Sequence, residues 1–159
     1  MARPRRFKDA KSKRDGASFV PLPHAVLESA AYLALSARGK ALLLDLLAQY
    51  RGNNNGDLCA AFSVMRKRGW RSEQTLFAAR RELEAAGLIH ETRKGARPNR
   101  ATLYGFTFYA LDENPKLEVT ARGFPRGQWR MKDPAPPIAA ARGAALATAT
   151  AVDGHGQRR

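Results

Sequence analysis

The stretch from Ser72 to Lys94 constrains the fold more than any other part of the chain: a capped amphipathic helix ends at a glycine and feeds an alternating strand. Ser72 precedes an apolar-periodic run, where a serine oxygen can accept from the first free N–H groups of a helix. Leu76, Ala79, Leu83 and Ala86 recur at spacings of three and four, which predicts a helix over 73–86 with one packed face. Its free face carries Glu73, Gln74, Phe77, Ala78, Arg81 and Glu84, and Gly87 stands where a left-handed C′ residue is wanted. Residues 88–94 alternate apolar with polar, and 102–108 are β-branched and aromatic, so the two segments predict a β-hairpin around 95–100.

Upstream, a helix is expected over about 61–68, with Phe62 and Met65 inward, Gly69 at its end and a Trp70-Arg71-Ser72 turn leading on. Ser36 can cap a helix over 37–50. Its leucines at 42, 43, 44, 46 and 47 cover more than one narrow stripe, so it must be buried on two sides, by residues 19–35 or by a second copy of the chain. Residues 24–35 fit one or two short helical segments after an extended 19–23. The Gly- and Asn-rich 52–57 reads as a turn, because these residues tolerate positive φ and bond nearby backbone. It lacks the carboxylate spacing of a calcium loop. Residues 58–60 fit a very short strand.

Lys and Arg total 28 against 14 Asp and Glu, a formal net charge of +14 that points to a polyanionic partner. Residues 1–17 hold seven basic and two acidic residues, a net of +5, and 133–159 hold three and two, a net of +1. The excess is therefore shared by the middle of the chain. Three regions follow: a flexible basic arm over 1–18, a single folded domain over 19–132 with a C-terminal extension, and a low-complexity Pro/Ala-rich tail over 133–159. The fold class expected is mainly α with a small β-hairpin.

The order of helix, short strand, helix, three-residue turn, longer helix and basic-tipped hairpin, with Ser72-x-x-Thr75-Leu76 and the run Glu82 to Ile89, resembles the winged helix-turn-helix family of bacterial regulators and replication initiators. The likeness covers roughly 36–108. It implies sequence-specific binding of double-stranded DNA, by a transcriptional regulator or a replication-initiation module of a phage or plasmid. In such a domain the major groove admits an α-helix whose first turns meet base edges. Glu73, Gln74, Phe77 and Ala78 would face bases, with Arg81 on the same face. Ser72 and the adjoining free N–H groups would hold a phosphate. Arg66, Lys67 and Arg71 flank the turn as phosphate contacts, with Arg68 in the same run, and Lys94, Arg97, Asn99 and Arg100 form the hairpin tip that follows the backbone or the minor groove.

Two readings of Phe77 stand side by side: contact with a thymine methyl, or cover for the N-terminal segment or a second subunit. Arg80 takes a site often apolar in the family, where its stem can snorkel. An alternative function is a protein-interaction module of a phage or plasmid, since Glu73, Glu82 and Glu84 on one helix would oppose a phosphate lattice. RNA binding through the basic arm is the third. No catalytic motif is visible, and His24, His90 and His155 lie at no metal-ligand spacing, so neither enzyme activity nor a metal or cofactor is expected. One cysteine, Cys59, read as a small core residue, fits a reducing compartment. The longest apolar run is too short to span a bilayer, so the expectation is a cytoplasmic protein, on the nucleoid when bound.

Overall fold

The structure is a computed structural model that describes residues 18–131. The expected arm, but for Ser18, and the expected tail lie outside the described residues. In chain order the elements are α1 (His24–Leu27), α2 (Ala30–Leu33), α3 (Ala37–Leu47), β1 (Leu58–Cys59), α4 (Phe62–Met65), α5 (Glu73–Ala85), β2 (Ile89–Arg93) and β3 (Leu103–Phe106). Single 3-10 turns follow α4 at Arg66–Arg68 and close the described chain at Gln128–Arg130. Mainly α with a small antiparallel sheet is the observed class.

Both serine caps form. The Ser36 Oγ accepts from Gly39 N–H and the Ser72 Oγ from Thr75 N–H, and Gly69 and Gly87 take left-handed φ values of 99° and 70°. Helix ends depart from expectation by a few residues. α3 stops at Leu47 rather than Tyr50, because the Gln49 side chain is drawn off to bond both backbone groups of Cys59, at 2.9 Å each. The helix expected over 61–68 is α only through Met65 and tightens to 3-10 over Arg66–Arg68, where a helix end commonly narrows.

The hairpin gains a third strand. The sheet order is β1-β3-β2, all antiparallel, with Leu58 opposite Tyr104 and Ile89 opposite Phe106, and a bulge in β2 between Glu91 and Arg93. β3 ends at Phe106, short of Phe108, since Thr107 turns back to give its N–H to Leu88 C=O and its hydroxyl to Gly87 C=O. Every residue of β3 is buried instead of alternate ones. It is the central strand, and residues 107–131 fold back over the sheet, with Gly127 N–H bonding Thr107 C=O at 2.7 Å and Phe124 and Trp129 buried.

One core unites these layers. Val26, Leu42, Leu43, Leu46, Met65, Leu83, Leu88 and Phe106 are almost wholly buried in it, each large aliphatic group contributing about 1.5–3 kcal/mol of transfer free energy. The segment 19–35 supplies Val26, Ala31 and Leu35 to it, which accounts for the inner sides of α3. Leu33 and Leu44 stay outside, at 63% and 58% exposure.

The 52–57 turn is a buried polar node. The Asn55 amide donates to Phe106 C=O at 3.0 Å and Ala110 C=O at 2.8 Å and accepts from Phe106 N–H at 2.7 Å, while its own N–H bonds Asp112 at 2.8 Å. It ties the start of β1 to the end of β3.

Candidate nucleic-acid interface

α5 lies with Leu76, Ala79 and Leu83 buried against α3 and the sheet, and the periodicity of the helix turns Glu73, Gln74, Phe77, Ala78 and Arg81 outward, all exposed. The turn ahead of it is pinned to α3 through Asp45, which accepts from Arg68 Nε at 2.6 Å and from the Trp70 indole N–H at 2.8 Å. A second tie runs from Arg38 Nη1 to Thr75 Oγ1 at 3.0 Å. These contacts fix the N-terminus of α5, and Arg66, Lys67, Arg71 and Ser72, which precede it in the chain, are exposed. Arg68, by contrast, is committed to Asp45.

Phe77 remains 47% exposed, so among the described residues the N-terminal segment 18–35 does not bury it. Its ring lies 4.6 Å from the Arg80 guanidinium carbon and 5.8 Å from that of Arg81. Such stacking holds an aromatic ring on a surface without removing it from solvent. Arg80 does more than snorkel. Its guanidinium also lies 5.8 Å from the Tyr104 ring centre, its Nε is buried with no hydrogen-bond partner, and Glu84 stands off at 3.9 Å. Burial pushes the Tyr104 phenol well above its ordinary range, the Arg80 charge opposing and the Glu84 and Glu91 carboxylates adding to the shift.

The three carboxylates of α5 do not share one face. Glu82 points back to α3, where its oxygens accept from Ser36 N–H at 2.5 Å and the Ser36 hydroxyl at 2.7 Å, capping that helix. Glu84 is drawn toward Arg80. Only Glu73 of the three is exposed beside Gln74 and Phe77. The opposition to a phosphate lattice inferred from three carboxylates therefore reduces to one.

At the hairpin tip, Ala96 and Arg100 bridge through two backbone hydrogen bonds of 2.9 Å, presenting Lys94, Arg97, Asn99 and Arg100 to solvent. Arg100 Nη2 meets Glu118 at 2.5 Å. The Lys94 backbone N–H on Glu118, and then the Arg100 charge, hold this carboxyl below its usual range. Asp45, Glu82, Glu118 and Arg38 carry no local sequence signal, because each acts on a residue at least 18 positions away.

His90 sits edge-on to Phe124 with ring centres 5.8 Å apart, and burial lowers its pKa. Cys59 is only half-buried, so its part in the sheet is played by its backbone. Among the described residues no group of three His, Cys, Asp or Glu side chains is placed to hold a metal ion, and no helix is long and apolar enough to cross a membrane. Comparison with protein-family models, with curated proteins and with solved structures finds no match to this chain.

Proposed function

We propose that the chain binds double-stranded DNA sequence-specifically in the manner of a winged helix-turn-helix, as a transcriptional regulator or a replication-initiation module of a mobile element. The observation that carries this reading is the outward face of α5, where Gln74, Phe77, Ala78 and Arg81 stand exposed on a helix capped by Ser72 and preceded in the chain by the exposed Arg66, Lys67 and Arg71. A helix N-terminus favours a phosphate, and side chains of its first turns reach base edges when it enters a major groove. The charge agrees: over 18–131, Lys and Arg outnumber Asp and Glu 17 to 10. The tip carrying Lys94, Arg97, Asn99 and Arg100 extends the basic surface toward the backbone or the minor groove.

Selection of bound sequences from random duplex DNA tests this reading. Enrichment of one motif is expected, and Gln74→Ala should relax preference at one position of it, with a cost of about 1–3 kcal/mol. Recovery of unselected sequence would overturn it. A second reading, in which the chain meets a protein partner or a second copy of itself, draws support from the exposed Leu33 and Leu44. Sedimentation at micromolar concentration separates the two forms of that reading.

A further inference from the structure

We propose that the cleft between α4, α5 and β3 is a binding site for a small α-amino acid with an apolar side chain. The cavity has a volume of about 210 Å³ and is walled by Phe62, Leu76, Phe77 and Tyr104, with Arg80 and Glu73 supplying charge. That volume suits a ligand on the order of ten non-hydrogen atoms, smaller than the drug-sized molecules that larger clefts take.

Arg80 is the reason to expect an occupant. Its guanidinium carbon lies 4.6 Å from the Phe77 ring centre and 5.8 Å from that of Tyr104, so two rings hold the charge at the cavity wall. A carboxylate meets a guanidinium edge-on, through paired hydrogen bonds. Glu84 faces the buried Nε at 3.9 Å, and the two terminal Nη groups make no hydrogen bond among the described residues, which leaves the outer edge of the guanidinium for an incoming carboxylate. Glu73, on the same cavity wall, supplies the complementary charge for an ammonium group. Among the lining residues Arg80 is the one cation and Glu73 the one anion, which disfavours a phosphate or any multiply charged anion. A zwitterion satisfies both poles, and the aromatic walls take its side chain. This site goes beyond the DNA reading and stands without it. Glu73 and Phe77 belong to the outward face of α5, so an occupant would alter that face.

The probe is L-phenylalanine, titrated into the full chain without DNA and followed by backbone amide resonances. Saturable shifts are expected in residues 60–62, 73–80 and 102–104. Phenethylamine and phenylpropanoate, each lacking one of the two charges, should bind about tenfold more weakly. Arg80→Gln should erase the advantage of phenylalanine over phenethylamine, and Glu73→Gln its advantage over phenylpropanoate. If a variant does not fold, the three ligands on the native chain decide alone. Equal binding of the three, absence of saturation at millimolar concentration, or shifts centred on 66–71 would each overturn the proposal.

Discussion

The turn over 52–57 and the hairpin tip over 94–100 are both short, polar and rich in Gly or Asn, yet the first is wired into the core and the second stands in solvent. In the turn, Asn55 is fully buried and all of its side-chain bonds go to the backbone of residues more than 50 positions later. In the tip, Lys94, Arg97, Asn99 and Arg100 are exposed, the backbone bridges across the tip between Ala96 and Arg100, and its one distant tie is from Lys94 N–H to the exposed Glu118 carboxylate. Charge separates them, and so does the burial of their partners: a loop whose side chain serves buried backbone becomes structure, and one tied only to an exposed carboxylate is left free to meet a ligand.

The sharpest break of this contrast is Asn55→Ala. It strands the buried Phe106 N–H and C=O and removes the bond to Ala110 C=O, and a loss of about 3–5 kcal/mol is expected in urea unfolding. A loss below about 1 kcal/mol would mean that the turn is no more structural than the tip.

Reversal of the tip, Arg97→Glu with Arg100→Glu, should do the opposite. Stability should change by less than about 1 kcal/mol, because these are exposed charges. Affinity for all duplexes together should fall about a hundredfold and its salt dependence should flatten. Undiminished binding would remove the tip from the interface and favour a protein partner.

Gly56→Ala probes the turn again from the backbone side. Gly56 adopts φ +117°, and an added Cβ would come within 2.7 Å of Leu111 and 2.8 Å of Leu117 side chains. A cost of about 1–3 kcal/mol in thermal unfolding is expected. The smallest effect is expected from Glu118→Gln, which releases Arg100 from its only ion pair among the described residues. Duplex affinity should rise about two- to threefold with little change in melting temperature. A fall in affinity would show that Glu118 positions Arg100 rather than masking it.

What could be read from sequence divides by distance along the chain. Ser36 and Ser72 declare their caps because the bond they make spans three residues. The hairpin declares itself through alternation and a basic tip, and α5 through its spacing, so most of the proposed contact residues are found where local pattern puts them. Glu82 looks like one more exposed carboxylate in sequence and is a cap for Ser36, 46 positions away. The cleft beside Arg80 was equally invisible. It needs α4, α5 and β3 brought together, and the pairing of β1 with β3 that helps to assemble it has no local signature.

The amide of Gln49 has a consequence for how the molecule behaves in a crowd of its own kind. By bonding Cys59 N–H and C=O on the side away from β3, it stands in for a missing neighbour strand. At the far border, Glu118 N–H occupies Thr92 C=O at 2.8 Å beside the β2 bulge. A three-stranded sheet with open margins is a template for stacking one chain on the next, and such margins are ordinarily blunted. Here a single side chain guards one margin and a returning loop occupies part of the other, which works against extension of the sheet from one molecule to the next.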